Sequence, residues 1–145
     1  MTGASIYSRR GSIFVGTMSR TDTGLFRAEG DYITLPSDSP LETIAAEMLT
    51  ALSRSRRISV SPASASPGGP DTSLLHAAGV KSQRTFAQGA KLVSVRADDE
   101  NLRFYPSTQT NSHFNFSAKN IIQLSKSASL SQIGAAIEQA FSLCK

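Results

Sequence analysis

Short runs of hydrophobic residues, separated by polar turn residues, fill the first 35 positions of the chain. The runs are rich in β-branched and aromatic side chains, which are typical of strands. They cover residues 5–9, 12–19, 24–29 and 31–35. Gly11, the RTDTG segment at 20–24 and the Gly30-Asp31 pair lie between them. The pattern therefore predicts an antiparallel meander of three or four strands.

Beyond this meander the hydrophobic spacing changes to one residue in every three or four, which predicts a helix with one buried face. The apolar positions are Leu41, Ile44, Ala45, Met48 and Leu52. Ser39 is well placed as the N-cap and Pro40 as the first helical residue. Glu42, three positions after Ser39, completes a predicted capping box.

The middle of the chain is rich in Ser, Pro and Gly, which predicts a flexible loop at about 61–71 after a short strand at 58–60. Two short helices are predicted to follow. They span residues 72–78, ending at Gly79, and 82–88, ending at Gly89. Glycine favours the left-handed conformation that often terminates a helix.

The second half of the chain begins with another strand pattern. The predicted strands cover residues 90–97, 101–106, 112–117 and 120–124. Asp98, Asp99 and Glu100 lie between the first two strands and are predicted to form the turn of a hairpin. This half therefore has the meander pattern of the first.

A closing helix is predicted over residues 130–143. Ser129 and Gln132 have the spacing of a capping box at its N-terminus. The predicted buried stripe consists of Leu130, Ile133, Ile137, Ala140 and Phe141.

The second strand-plus-helix segment repeats the first at an offset of 89 residues. Ile33 and Ile44 recur as Ile122 and Ile133, whereas Glu42 is replaced by Ser131. Apolar packing positions recur and polar positions do not, so the repeat indicates architecture and not a duplicated ligand site. We predict an α+β fold of two antiparallel β-meander-plus-helix units, joined by the Ser/Pro/Gly loop and the short helices.

Length and composition are consistent with one domain. At 145 residues, the chain can bury one substantial core but has little room for a second. We therefore expect a single domain over residues 1–145, with internal halves at about 1–57 and 72–145.

Charge and cysteine content narrow the function classes. The net charge is +4, from 15 Lys+Arg and 11 Asp+Glu, a small excess for a dedicated DNA-binding protein. The one tight basic group, Arg54, Arg56 and Arg57, fits either a helix C-terminus or a phosphate-binding patch. Cys144 is the single cysteine, and we expect it to be a small core residue in a protein of the cytoplasm. The apolar run at 13–15 is too short for a signal peptide.

Residues that usually indicate catalysis are sparse. His76 and His113 have no neighbouring carboxylate in the sequence, and we expect both to be structural or surface residues. The acidic triplet Asp98-Asp99-Glu100 would need further ligands to hold a metal. We therefore predict no enzymatic activity, no metal site and no cofactor. Phe114 and Phe116 share one face of a predicted strand and are either core residues or a base-stacking platform.

Several segments carry a family resemblance that covers about two thirds of the chain. They are LLHAAGVKSQRTFAQGAKLVSVRADDENLRFYPS at 74–107, MLTALSRSRR at 48–57, the late strand IIQL and the terminal LC. Together they resemble the CdiI immunity proteins of bacterial contact-dependent growth inhibition systems. The resemblance implies a non-enzymatic protein that binds and neutralises the C-terminal toxin domain of a cognate CdiA effector, often a nuclease, inside the cell. No apolar run in the sequence approaches the roughly 18 residues of a membrane span, so we expect no membrane partner.

The resemblance does not identify the residues that contact the partner. Nuclease toxins tend to be basic, and a protein that covers a basic active site is often acidic, whereas this chain is basic. Three explanations are considered. Either the acidic residues of this chain cluster on one face, or the toxin is not strongly basic, or binding avoids the toxin active site. The candidate contact residues are the hairpin residues Asp98, Asp99, Glu100, Arg103 and Tyr105, with Asp71 from the loop segment 67–71.

A second function remains open at this point. The positive charge, the Phe and Tyr residues on strands and the two-unit architecture also fit a single-stranded nucleic-acid-binding domain. Such a domain binds oligonucleotides with an affinity that falls steeply with salt.

Overall fold

The computed structural model describes residues 1–59, 72–116 and 118–145. The strands are β1 (Thr2–Arg9), β2 (Ser12–Thr21), β3 (Phe26–Pro36), β4 (Arg57–Ile58), β5 (Ala90–Ala97), β6 (Asn101–Thr110), β7 (His113–Phe116) and β8 (Ile122–Ser125). The helices are α1 (Leu41–Arg54), α2 (Thr72–Ala78), α3 (Gln83–Ala87) and α4 (Leu130–Leu143). A 3₁₀ turn at Ala118–Asn120 precedes β8. The predicted α+β class with mainly antiparallel strands is confirmed.

The two predicted halves share one sheet. Its strand order is β3-β2-β1-β5-β6-β7, with β8 also paired to β6 and the short β4 parallel to β2. The halves meet where β1 and β5 pair antiparallel, from Thr2 opposite Ala97 to Arg9 opposite Ala90. Hydrogen bonds between residues about 90 positions apart in the sequence therefore join the two meanders.

Helices α1 and α4 cover one face of the sheet, which we call the helix face. The main hydrophobic core lies between these helices and the inward-pointing residues of the central strands, including Ile6, Val15, Val95 and Phe104. Thr17, near the end of this face, donates a 2.9 Å hydrogen bond from its hydroxyl to the carbonyl of Ala51. The helix face is therefore closed by the two long helices.

The opposite face of the sheet, here called the second face, is covered at one end by α2 and α3. A smaller core forms there from Phe14, Leu74, Leu75, Phe86 and Ala90. Alternate residues of each strand point to this face, and such residues continue along it beyond α2 and α3. Gly3, on β1, pairs with Arg96 on β5, which pairs with Arg103 on β6. This end of the second face has no helix packed against it among the described elements.

The N-terminal caps of the two long helices differ. At α4, the predicted capping box is confirmed, because Ser129 Oγ accepts from Gln132 N at 3.2 Å and Gln132 Oε1 accepts from Ser129 N at 2.9 Å. At α1, the predicted box is wrong. Pro40 is the N-cap without a side-chain capping bond, and the Ser39 hydroxyl donates to Pro36 O at 2.7 Å. The tight turn after β3 therefore occupies the hydroxyl that the helix would have used.

Two further sequence predictions differ from the structure. The predicted break between strands 24–29 and 31–35 is wrong, because β3 is continuous and absorbs Gly30, at φ +79°, in a bulge opposite the Val15–Thr17 segment. Leu130, predicted in the buried stripe of α4, is 38% exposed because it lies at the first helical position. The helix ending at Gly79 is confirmed, whereas α3 ends at Ala87. The predicted loop at 61–71 lies outside the described residues.

Candidate interaction surface at the β5–β6 hairpin

Asp98 organises the turn that joins β5 to β6. Its Oδ1 atom accepts hydrogen bonds from the backbone N–H groups of Glu100, at 2.8 Å, and Asn101, at 2.7 Å. These two bonds stabilise the ionised carboxylate and lower the pKa of Asp98, and the neighbouring guanidinium of Arg103 lowers it further. The predicted hairpin turn is confirmed, and Asp98 is held within it.

The other two acidic residues project from the tip of the turn. Asp99 and Glu100 are exposed. The ion pairs among the described residues include neither of them. Across all the residues that the structure describes, no group of three or more His, Cys, Asp or Glu side chains is arranged to hold a metal ion. The two carboxylates are therefore available to groups outside the chain.

Arg103 and Tyr105 lie on the second face of the sheet. They alternate along β6 with Leu102 and Phe104, which are both fully buried on the helix face. Arg103 Nη1 lies 3.0 Å from Asp98 Oδ2, and its Nε donates to Gln123 Oε1 at 3.3 Å. The fold thus brings Asp98, Arg103 and Tyr105 together on one hairpin.

Asp71, the remaining candidate residue, lies outside the described residues. Its inclusion in the contact surface, like that of the segment 67–71, stays a prediction.

The sequence interpretation missed Arg96 and Phe26. Arg96 lies directly opposite Arg103 in the β5–β6 register, and its guanidinium carbon is 3.9 Å from the centre of the Phe26 ring. Burial lowers the pKa of Arg96 to about 10, and the nearby Tyr105 opposes this shift. The alternation of AKLVSVRA could have placed Arg96 on the same face as Arg103. Its contact with Phe26 depends on strand pairing across 70 residues, which no local pattern reveals.

The other residues that were considered for chemistry are either exposed at the surface or packed in the core. His76 and His113 are exposed, as the sequence allowed. Cys144 is buried, with its Sγ 3.4 Å from the carbonyl oxygen of Leu92, so its prediction as a core residue is confirmed. Phe114 packs against Tyr7 with ring centres 5.8 Å apart, whereas Phe116 is 46% exposed. The ring of Phe114 is therefore packed in the protein and that of Phe116 is open to solvent, so the two do not form one exposed stacking surface.

Two of the three arginines of the basic group, Arg56 and Arg57, pair with acidic side chains, whereas Arg54 lies exposed in the last turn of α1. Arg56 forms a 2.7 Å ion pair with Glu29, which also accepts a hydrogen bond from the hydroxyl of Ser19. Arg57 lies 3.6 Å from Asp22. Arg56 and Arg57 thus link the end of α1 and the start of β4 to the β2–β3 region. This arrangement favours a structural role for them over phosphate binding.

None of the helices in the described ranges has the length and apolar character that crossing a membrane requires.

Comparison with known proteins gives a family match and two similar structures. The model of the CDI immunity protein family, CdiI, matches residues 2–144. No curated protein matches the sequence. A protein of unknown function from Neisseria meningitidis has a similar structure, with a TM-score of 0.82 at 21% identity over 99% of this chain and 95% of the other. A chain of a CdiA-CT/CdiI toxin and immunity complex from Yersinia pseudotuberculosis gives a TM-score of 0.75 at 17% identity, over 99% and 97%. At these identities the two structures establish a shared fold.

Proposed function

Because the chain belongs to the CDI immunity protein family, as the match over residues 2–144 shows, we propose that it binds and neutralises the C-terminal toxin domain of a cognate CdiA effector. That match is the observation that carries the proposal. The likeness to a chain of a toxin and immunity complex supports it. The protein acts by protein–protein contact in the cytoplasm and catalyses no reaction itself. The toxin is a nuclease, the activity that the family resemblance favours.

The fold that carries this function is one meander-plus-helix unit used twice within a single domain. Two features support this. The bounds of β2 and α1 recur as those of β6 and α4 at the same offset of 89 residues that relates the sequence segments. The strand order is also symmetric about the central β1–β5 pair, with β2 next to β1 and β6 next to β5. The surfaces that differ between the two units, such as the acidic β5–β6 turn, then carry the specificity.

The contact surface is the β5–β6 hairpin. Asp99 and Glu100 supply two exposed carboxylates on a turn that Asp98 holds rigid through two backbone hydrogen bonds. Arg103 and Tyr105 extend the surface onto the sheet. A preorganised turn loses little conformational entropy on binding, which favours its use in recognition. The exposed carboxylates also give an otherwise basic chain a local acidic surface for a basic toxin.

Direct binding tests the proposed function. The purified chain is titrated with the purified toxin domain encoded immediately upstream of its own gene, and heat release is measured. We expect a one-to-one complex with a Kd of about 1 nM or tighter, as in specific protein complexes of standard interface size. A toxin domain from a non-cognate system is the control and is expected not to bind. Absence of binding to the cognate domain would contradict the proposal.

Neutralising the acidic tip tests the proposed contact surface. In the double variant Asp99→Asn/Glu100→Gln, the association rate with the cognate toxin is expected to fall about tenfold at low salt, because long-range attraction to a basic toxin is lost. The rate is measured by stopped-flow fluorescence at two salt concentrations. Glu42→Gln/Glu138→Gln is the matched control, since it removes the same charge from exposed positions on α1 and α4. Equal rates for the two double variants would exclude the turn as the steering surface.

A further inference from the structure

The uncovered end of the second face carries a half-buried guanidinium, that of Arg96, which has no acidic partner among the described residues. Three ion pairs connect described residues: Arg56 with Glu29, Arg57 with Asp22, and Arg103 with Asp98. Arg96 takes part in none of them, although it is half-buried next to the last of these pairs. A desolvated charge without a counter-charge is unfavourable, and a bound anion would offset that cost.

The position of Arg96 is built by its neighbours. Its guanidinium carbon lies 3.9 Å from the centre of the Phe26 ring, a stacking distance. The stack lies over Gly3, where an added Cβ would be 2.9 Å from two carbons of the Phe26 ring and 3.1 Å from Arg96 Nη1. Glycine at this position therefore leaves the space that the stacked pair occupies. The guanidinium is fixed in orientation before any partner arrives.

The hydrogen-bonding edge of Arg96 is largely unused. Nη1 donates to the carbonyl of Val95 at 2.9 Å, which uses one of five N–H donors. Within the described parts of the chain, no buried side-chain nitrogen or oxygen lacks a hydrogen-bond partner. The other nitrogens of Arg96 have no such partner among the residues that the structure describes, so they must reach solvent. They form a donor edge of the geometry that binds a carboxylate with two parallel hydrogen bonds.

We propose that Arg96, stacked on Phe26 and flanked by Tyr105, binds a carboxylate of an acidic segment on the cognate toxin domain. This inference rests on the proposed function and specifies the chemistry of the partner. The toxin then presents groups of both signs, a basic group to the exposed turn residues Asp99 and Glu100 and an acidic group to Arg96. A surface that matches charges of both signs rejects toxins with either sign misplaced, which provides specificity.

A carboxylate fits this site better than the phosphates of a nucleic acid. Backbone phosphates are bound by several unpaired Lys or Arg side chains in a row. Here the neighbouring Arg103 is already neutralised by Asp98 at 3.0 Å. The exposed Asp99 and Glu100 of the same turn also repel a polyanion. A half-buried guanidinium fixed by stacking and set beside these carboxylates suits one acidic side chain of a protein.

The experiment is a double-mutant cycle across the complex. Wild-type protein and Arg96→Gln are each titrated with the wild-type toxin domain and with toxin variants in which single surface Asp or Glu residues become Asn or Gln. We expect Arg96→Gln to weaken binding to the wild-type toxin about a hundredfold. We also expect one toxin carboxylate to show no further loss when it is neutralised together with Arg96. Arg84→Gln, which removes an equal charge from an exposed position on α3, is expected to bind like wild type.

The outcomes separate this inference from the proposed function. Tight binding by both wild type and Arg96→Gln overturns the inference and leaves the function standing, whereas a wild-type protein that fails to bind overturns the function. The toxin variants leave this chain unchanged, so a fold defect in Arg96→Gln cannot imitate coupling. If no toxin carboxylate couples to Arg96, the proposal is wrong. It is also wrong if Arg96→Gln loses binding only to a labelled single-stranded oligonucleotide, since the site would then take phosphate.

Discussion

Replacing Phe104 with alanine is expected to lower the free energy of unfolding by about 4 kcal/mol, since truncating a fully buried phenylalanine removes apolar contacts and leaves a cavity. Phe104 is 0% exposed and lies on β6 between Val95 of β5 and Ile122 of β8. Its ring belongs to the core under α1 and α4. Neighbouring strands on both sides restrict collapse of the cavity.

Chemical denaturation followed by circular dichroism measures this loss, which corresponds to a fall in Tm of about 10 °C for a domain of this size. Phe116→Ala is the matched control. It makes the same substitution at a phenylalanine that is 46% exposed on β7, and it is expected to change stability by about 1 kcal/mol or less. Similar losses in the two variants would contradict the assignment of the main core to the helix face.

Replacing Arg9 with methionine is expected to cost about 3 kcal/mol of unfolding free energy, because it removes two charge-assisted hydrogen bonds in a buried position. Arg9 is 8% exposed and donates from Nε to the Phe86 carbonyl at 2.9 Å and from Nη2 to the Thr85 carbonyl at 3.2 Å. These carbonyls lie in the last turn of α3, where a cation is favoured. Arg9 therefore attaches α3 to the end of β1.

Urea denaturation of Arg9→Met, Arg9→Lys and Arg84→Met distinguishes the attachment from a general charge effect. Lysine keeps the charge but lacks the two-pronged donor geometry, so its loss is expected to be intermediate. Arg84 is exposed on the same helix, and Arg84→Met is expected to be nearly neutral. Unchanged stability in Arg9→Met would mean that α3 is held by its hydrophobic residues alone.

Local pattern was sufficient to predict the elements whose signals lie within a few residues. The two long helices, the β5–β6 hairpin and the capping box at Ser129 follow from apolar spacing and from turn and cap chemistry. The capping box predicted at Ser39 failed because an equally local alternative, the turn to Pro36, uses the same hydroxyl. Two local structures that compete for one group cannot be ranked from sequence spacing alone.

The candidate surface was predictable only in part, because it is assembled by long-range strand pairing. Asp98, Arg103 and Tyr105 are close in sequence and were identified together. Arg96 was adjacent but was not identified, and Phe26 reaches it only because β1 and β5 pair across the middle of the sheet. Apolar alternation fixes which face a residue occupies but not which strand lies beside it.

Protection of growing cells tests the central claim most directly. The cognate toxin domain, which the proposed function expects to be encoded immediately upstream of this chain's gene, is expressed from an inducible promoter in a bacterium that lacks the system. It is expressed with or without this chain, and colony formation is counted after induction. The account predicts that the toxin alone abolishes colony formation and that co-expression of this chain restores it, with no protection against a non-cognate toxin. Full toxicity in cells that contain the folded chain would contradict the account.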